Sequence, residues 1–262
     1  MSIRRSITMK TLIFILTFTF LLVWTNLGIT AEDASLVAHY TFDGNPDDSS
    51  GNENHGVIKG ESKWDKGKFG DAIHLNVGAH VEMQASDTLH GDLFKTDPFT
   101  ISVWINPTFE GGTWQQIWRS LPGASGHNTL FVNKDEGLLS WRGQVAGWTV
   151  LCQTDGGVIK KDAWAHVVVQ SDGEKFRIYV DGEMAKETDF QETRGANTIY
   201  RLGGEGGEGY GGAIDDAAIF SRALDENEIA ALGEGFDALL FVEPQDKLAT
   251  KWASIKDFGF SR

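Results

Sequence analysis

The sequence predicts an all-β protein, an antiparallel β-sandwich followed by a short C-terminal helical segment. Apolar residues alternate with a period of two from Leu36 onward, and clusters of Gly, Asp and Asn separate the short apolar runs. Many short strands without interleaved helices favour a sandwich over an α/β sheet. The chain has 262 residues, 41% of them hydrophobic, which is enough for one single-core domain and excludes disorder as the main description.

The clearest strands lie between residues 164 and 190, where Asp-Gly turns at Asp172 and Asp181 separate three apolar runs. This spacing predicts three consecutive antiparallel strands. In the middle strand, Phe176 and Ile178 share one face, so one side packs on a core and the other meets solvent or ligand. Ten further strands are predicted at residues 36–42, 72–75, 80–83, 99–106, 115–119, 129–132, 138–141, 149–152, 198–202 and 212–220.

Two helices are predicted near the C-terminus. Asp225 and Glu228 have the spacing of a capping box, which predicts a short helix that ends at Gly233. Apolar residues recur at helical spacing within residues 246–258. This second helix either docks on the sandwich or serves as a partner-binding tail.

The first 31 residues have the features of a secretory signal peptide. Arg4, Arg5 and Lys10 precede an apolar stretch at residues 11–24, and Ala31 provides a small residue for cleavage. An uncleaved anchor is the alternative, but the apolar stretch is shorter than the ~20 residues that a spanning helix needs. We therefore expect a secreted protein without membrane insertion of the mature chain. The expected organisation is a signal peptide at 1–31, a sandwich domain at 32–235 and a tail at 236–262.

The charge of the chain restricts its partners. Lys and Arg number 23 against 37 Asp and Glu, a net charge of −14. Such a charge repels phosphate backbones and anionic lipid headgroups, which argues against nucleic acid and membrane surfaces as partners. Divalent cations suit it better. The single Cys152 excludes an internal disulfide, and the sequence leaves the oligomeric state open.

Five blocks of the sequence occur in the order typical of one known family. The first begins with LVAHYTFDG at residues 36–44, and the last is GAIDDAAIFSRAL at residues 212–224. Between them lie blocks at residues 67–75, 99–107 and 164–182. The chain resembles the laminin-G-like jelly-roll domains of the concanavalin A-like lectin/glucanase superfamily. The resemblance implies the fold, but this superfold hosts lectins, adhesion domains and glycosidases alike.

The resemblance also implies a structural calcium ion. Related sandwiches often hold one where the first and last core strands lie side by side, and Asp43 and Asp215 occupy the matching positions. Asn45, Asp47 and Asp48, or nearby backbone carbonyls, would complete the oxygen ligands that Ca²⁺ prefers. The alternative is that these acids cap turns and accept hydrogen bonds from backbone amides.

A glycan site is predicted where aromatic and polar residues are interleaved. Pyranose faces stack on exposed aromatic rings while their hydroxyls bond to polar groups. The segment from 114 to 148 combines both types in a region where the family pattern is loosest. The predicted ligand-binding residues are Trp114, Trp118, Arg119, Trp141, Arg142 and Trp148. For each Trp, packing inside the sandwich is the alternative.

One pattern suggests catalysis instead. Glu187, Asp189 and Glu192 have the spacing seen in laminarinase-like retaining glycosidases, which use two carboxylates about 5 Å apart. The motif lacks flanking aromatic residues, so the sequence favours a binding module over an enzyme. We expect a secreted, calcium-stabilised module that binds glycan or another extracellular partner. A protein-interaction or adhesion module of the same fold is the alternative.

Overall fold

The computed structural model describes residues 33–122, 128–194 and 197–239. The predicted signal peptide and the helix predicted within 246–258 lie outside the described residues. The strands are β1 (Leu36–Tyr40), β2 (Val57–Lys59), β3 (Ser62–Lys66), β4 (Asp71–Leu75), β5 (His80–Gln84), β6 (Phe99–Pro107), β7 (Trp114–Pro122), β8 (Thr129–Asn133), β9 (Leu138–Gln144), β10 (Trp148–Gln153), β11 (Ala165–Ser171), β12 (Lys175–Val180), β13 (Glu183–Asp189), β14 (Asn197–Gly203) and β15 (Gly212–Phe220). The helices are α1 (Glu226–Gly233) and α2 (Phe236–Leu239), and a 3-10 turn covers Gly206–Glu208.

These strands form two antiparallel sheets, which confirms the predicted sandwich. The eight-stranded sheet has the order β13-β12-β11-β6-β15-β4-β3, and β1 also pairs with β15. The seven-stranded sheet has the order β10-β9-β8-β7-β14-β5-β2. The first and last strands lie side by side, with Tyr40 opposite Ala217.

The main core lies between the two sheets and follows the predicted alternation. In β11, Val167 and Val169 point into this core, whereas Val168 between them points outward. Burying a side chain of this size contributes roughly 1.5–3 kcal/mol. Repeated along each strand, the alternation gives each sheet one inward face and one outward face.

Helix α1 covers part of the outward face of the eight-stranded sheet. Its Ile229 and Leu232 pack on Val168, Tyr179 and Phe220 in a second, smaller core. Among the described residues, no helix combines the length and apolar composition that crossing a bilayer requires.

The predicted capping box of α1 is confirmed. The Asp225 carboxylate accepts the amide N–H groups of Asn227 at 2.8 Å and Glu228 at 2.9 Å. The Glu228 side chain in turn accepts the Asp225 amide at 2.8 Å. These bonds satisfy backbone donors that a helix start otherwise leaves free.

Two strands were absent from the sequence prediction. β2 is only three residues long, and β3 reads SKWDK, without apolar alternation. Both lie at the edge of a sheet, where half of the strand's surroundings are solvent.

Candidate binding site

The candidate site lies on the outward face of the seven-stranded sheet, across β7 to β10. Arg119 of β7 lies opposite Thr129 of β8, which lies opposite Arg142 of β9. Gln116 lies opposite Phe131 in the same way. Residues opposite each other in antiparallel strands share a face, so these side chains form one continuous surface.

A β-bulge in β7 decides which tryptophan reaches this surface. The pairing of β7 with β8 shifts register between Gln116 and Trp118. Regular alternation would place Trp114 and Trp118 on the same face, because they are four residues apart. The extra residue reverses the alternation. Trp118 therefore points into the core with 0% exposure, and Arg119 points outward into the site.

The surface contains a pocket of about 330 Å³, at the small end of the usual range for ligand pockets. Four of the predicted ligand-binding residues line it: Trp114, Arg119, Arg142 and Trp148. Five further residues line it: Gln144 is one of the polar residues interleaved with the predicted tryptophans in the sequence, and Gln116, Thr129, Phe131 and Glu208 were not predicted. Glu208 comes from the 3-10 turn, more than sixty residues beyond the other four.

Phe131 holds the two indoles of the pocket in place. The Trp114 ring meets the Phe131 ring edge-on at 6.1 Å between centroids, and the Trp148 ring meets it edge-on at 6.3 Å. Edge-to-face contacts of this kind are favourable for aromatic pairs. Phe131 is itself buried, while Trp148 is 42% exposed. The pocket thus presents an exposed indole on a rigid aromatic base.

The two guanidinium groups of the pocket have neutral stacking and hydrogen-bond partners. Arg142 lies 3.8 Å from the centre of the Trp114 ring, and its Nε donates to Ser140 Oγ at 2.9 Å. Arg119 Nη1 donates to Gln116 Oε1 at 3.3 Å. Removal from water lowers the pKa of both guanidinium groups below the usual arginine value. Arginine nevertheless stays protonated in proteins, so both charges persist.

Trp118 and Trp141 correct the sequence prediction. Both have 0% exposure and belong to the main core. The Trp118 ring contacts those of Phe94 and Tyr200, and the Trp141 ring lies 5.5 Å from that of Phe99. A ring enclosed on all sides cannot stack on a sugar, so these two residues pack inside the sandwich rather than line the ligand site.

Asp43 and Asp215, the central residues of the predicted calcium site, contact the same turn. Asp215 Oδ2 accepts the amides of Lys68 at 2.8 Å and Phe69 at 2.9 Å, and Asp43 Oδ1 accepts the Asp71 amide at 2.8 Å. Asp215 is fully buried, and no described residue bonds to its Oδ1. Burial is the main reason that the pKa of Asp215 rises to about 6. This unpartnered carboxylate oxygen suits a cation.

The other predicted calcium ligands form a loop in which side chains accept hydrogen bonds from backbone amides. Both carboxylate oxygens of Asp48 accept backbone amides, including those of Ser50 and Asn54 at 2.9 Å each. Asn45 Oδ1 accepts the Asp47 amide at 2.9 Å. These are the turn-capping bonds of the alternative interpretation. In the part of the chain that the structure describes, no three His, Cys, Asp or Glu side chains form a metal-binding group. A calcium ion at Asp43 and Asp215 would thus need backbone carbonyls as well.

The carboxylates of the glycosidase-like motif lie on an edge strand, β13, and just beyond it. Glu187 accepts Arg177 Nε at 2.7 Å, and Asp189 accepts Lys175 Nζ at 2.6 Å. The Lys175 ammonium lowers the pKa of Asp189. A general acid needs a raised pKa instead. Glu192 is exposed and follows the end of the strand.

Comparison with known proteins agrees with this architecture. Residues 79–230 match the Laminin_G_3 family, which represents the concanavalin A-like lectin/glucanases superfamily. The chain belongs to this family. No curated protein sequence matches the chain.

Many solved structures share the fold, including the following three. Domain 4 of AbnA, a GH43 extracellular arabinanase from Geobacillus stearothermophilus, was solved with arabinotriose; it has a TM-score of 0.64 and 22% identity over 76% of this chain and 98% of that domain. The binding domain of botulinum neurotoxin DC with SialylT has a TM-score of 0.61 and 17% identity over 76% of this chain and 51% of that one. The same domain with rat synaptotagmin II has a TM-score of 0.60 and 17% identity, again over 76% and 51%.

Proposed function

We propose that this protein is a secreted, non-catalytic module that binds a glycan in the pocket between β7 and β10. The observation that carries the proposal is the exposed Trp148 ring, held edge-on by Phe131 beside the polar groups of the pocket. A sugar ring can stack on the indole while its hydroxyls bond to side chains such as Gln144 and Thr129. The pocket lies on paired strands, which position such groups more rigidly than loops do.

The related structures support this proposal. Domain 4 of AbnA was solved with arabinotriose, and the botulinum neurotoxin DC domain with SialylT. Both share the sandwich fold with this chain, and both complexes contain a carbohydrate. Because a shared fold does not settle function, the proposal rests on the pocket and takes only support from the relatives.

A protein partner is the second candidate. The botulinum neurotoxin DC domain was also solved with rat synaptotagmin II. On this chain, Val150 is 47% exposed on β10, the strand that also carries Trp148. A continuous apolar surface there would suit an apolar side chain of a protein partner.

Glycan-array binding tests the main proposal. We expect the protein to bind a defined set of glycans and Trp148→Ala to lose that binding. Trp64→Ala is the matched control, because Trp64 is 36% exposed on β3 of the other sheet. Binding that survives Trp148→Ala would contradict the proposed site. Silence of the correctly folded protein would favour the protein partner, and reducing-sugar release from a bound glycan would contradict a non-catalytic role.

We also propose that a structural calcium ion binds at Asp43 and Asp215. The unpartnered Asp215 Oδ1 and the shared turn between the two carboxylates support it. The expected result is a higher melting temperature in calcium than in chelator, with the difference lost in Asp215→Asn and in Asp43→Asn. Asp47→Asn, in the neighbouring turn, is the control and should keep the difference. Equal melting of the wild-type protein in calcium and chelator would contradict the proposal.

Export is a proposal that rests on the sequence. The basic residues, apolar stretch and small residue of the first 31 positions support a cleaved signal peptide. N-terminal sequencing of the protein from the culture medium should find a start near residue 32. Retention of the full chain in the membrane fraction would contradict it.

A further inference from the structure

The partly buried arginines of the described strands and turns fall into two groups. Three of them have a carboxylate within 3 Å: Arg177 with Asp172 at 2.6 Å, Arg201 with Glu82 at 2.9 Å and Arg222 with Glu228 at 2.7 Å. Arg119 and Arg142 are buried to a similar extent. Neither forms an ion pair with a carboxylate in the described ranges, and both line the same pocket.

These two charges are unfavourable for the fold alone. Burial of a charge without an ion-pair partner costs free energy, because the lost hydration is not replaced. Glu208 attracts both guanidinium groups without contacting them, and loss of hydration outweighs that attraction. In addition, Arg119 Nε is buried and bonds to no described acceptor. The chain carries 37 acidic residues, yet none of the described ones forms an ion pair with Arg119 or Arg142. An external anion would supply the missing counter-charge.

The pocket holds its guanidinium groups ready for an anion. The Arg142 guanidinium stacks on Trp114, and its Nε is bonded to Ser140, whereas no described group accepts from its Nη atoms. A guanidinium group matches an oxyanion with two parallel N–H donors. Arg119 lies two strands away, with Thr129 between them, so the two backbones are roughly 10 Å apart.

Arg222 of the same chain shows how an arginine beside an aromatic ring can be paired with a carboxylate. Its guanidinium lies 6.0 Å from the centre of the Phe220 ring and is bonded through both Nη atoms to the Glu228 carboxylate, at 2.7 Å each. Arg142 has the aromatic platform but no carboxylate from the described chain. The ligand would take the place that Glu228 takes beside Arg222.

We infer that the pocket selects acidic glycans, with the guanidinium groups of Arg119 and Arg142 binding a carboxylate or sulfate of the sugar and Trp148 contacting its ring. This inference rests on the proposed glycan binding at the same pocket. Glu208 is the one carboxylate among the described lining residues, and its Oε2 accepts Gln116 Nε2 at 3.2 Å. The negative charge of Glu208 would repel an acidic glycan and thereby lower its binding affinity.

Isothermal titration with three tetrasaccharides tests the inference: an oligogalacturonate, a sulfated heparin fragment and a neutral galacto-oligosaccharide. We expect at least one acidic probe to bind at least about tenfold tighter than the neutral one, since hydrogen bonds to charged groups are the stronger ones. The comparison is made at about 0.15 M salt, where a Debye length of about 8 Å screens most of the repulsion from the net charge of −14 beyond the pocket. Carboxylate and sulfate are told apart by which acidic probe binds.

Charge variants locate the anion. Arg142→Gln and Arg119→Gln should each weaken binding of the acidic probe about tenfold or more and reduce its advantage over the neutral probe. Arg142→Lys keeps the charge without the planar fork and should recover part of the affinity. Glu208→Gln, which keeps the bond from Gln116, should tighten the acidic probe several-fold. Arg177→Gln on the other sheet is the matched control and should change neither probe.

Two results separate failure of this inference from failure of the proposed function. Equal binding of neutral and acidic probes, with Arg142→Gln unaffected and Trp148→Ala inactive, would overturn the charge selectivity and leave the glycan site intact. Lack of binding to every probe and to every array glycan would overturn both. Each variant is compared only after its melting temperature shows a folded protein.

Discussion

The two sheets are built from similar alternating strands, but their outward faces differ: a helix covers part of one, and the other borders a pocket. On the eight-stranded sheet, Val168 and Phe220 lie beneath α1, where Ile229 packs against them. On the seven-stranded sheet, Phe131 and Trp148 border a pocket, and neither described helix packs on them. The first face contributes to stability because its apolar area is removed from water. On the second, the Trp148 ring stays 42% exposed, and we propose that a ligand contacts it there.

The same contrast holds for the arginines on these faces. Arg222 stacks near Phe220 and is neutralised by Glu228, a residue of α1. Arg142 stacks on Trp114 and forms no ion pair with a described residue. The helix therefore supplies both the cover and the counter-charge on one sheet. On the other sheet, we propose that the ligand supplies both.

The largest expected effect comes from the inward face of the pocket strands. Trp141→Ala should lower the free energy of unfolding by about 3–5 kcal/mol, because it opens a cavity in the core. Trp148→Ala, on the next strand, should lower it by less than about 1 kcal/mol, because an exposed surface residue contributes little to stability. Urea unfolding measures both. Similar losses for the two variants would break the distinction between the inward and outward tryptophans.

The covering helix should affect stability and not binding. Ile229→Ala removes a fully buried side chain between α1 and the sheet, so a loss of about 2–5 kcal/mol in the free energy of unfolding is expected. Glycan affinity, measured well below the unfolding midpoint, should stay at the wild-type value. A parallel loss of affinity would show that the two outward faces are coupled.

The smallest expected net effect is the contribution of Asp215, on β15, to the pH dependence of the free energy of unfolding. Its pKa of about 6 in the folded state lies above the ordinary 3.8, so the folded state binds the proton more tightly than the unfolded state does. In chelator, its contribution to stability should therefore be present at low pH and fall as pH rises from about 4 to about 6. If calcium binds at Asp215 as proposed, it favours the ionised carboxylate and reduces this fall.

His166, a second buried titratable group, partly offsets the pH dependence of stability that Asp215 causes. Burial lowers the pKa of His166 to about 4, so its contribution is lost as pH falls from 6.5 toward 4, the opposite direction. The difference in unfolding free energy between the wild type and Asp215→Asn isolates the carboxyl. An identical pH dependence of the two proteins in chelator would contradict the assignment.

Much of the fold could be predicted because most strands carry a strong local signal. The hairpins around Asp172 and Asp181, the span of β15 and the cap at Asp225 all follow from residues close together in sequence. β2 and β3 could not be predicted, because edge strands need little apolar alternation. β2 pairs with β5, further along the chain, whereas β3 forms a hairpin with the next strand, β4.

The site was predicted as a region rather than residue by residue. Four of the predicted residues, Trp114, Arg119, Arg142 and Trp148, line the pocket, and whether they bind a ligand stays a prediction. The bulge before Trp118 turns that ring inward, and no residue type in this stretch signals a bulge. Glu208 could not be found from the sequence. It reaches the pocket only because a glycine-rich loop after β14 folds back toward β7.

Nuclear magnetic resonance of the tryptophan indole N–H groups tests the central claim most directly, because the protein contains its own controls. On titration with a glycan identified on the array, the account predicts shifts of the Trp114 and Trp148 signals. The signals of Trp118 and Trp141, on neighbouring stretches of the same sheet but buried, should stay in place. Binding that shifts Trp64 on the other sheet and leaves Trp114 and Trp148 unmoved would contradict the account.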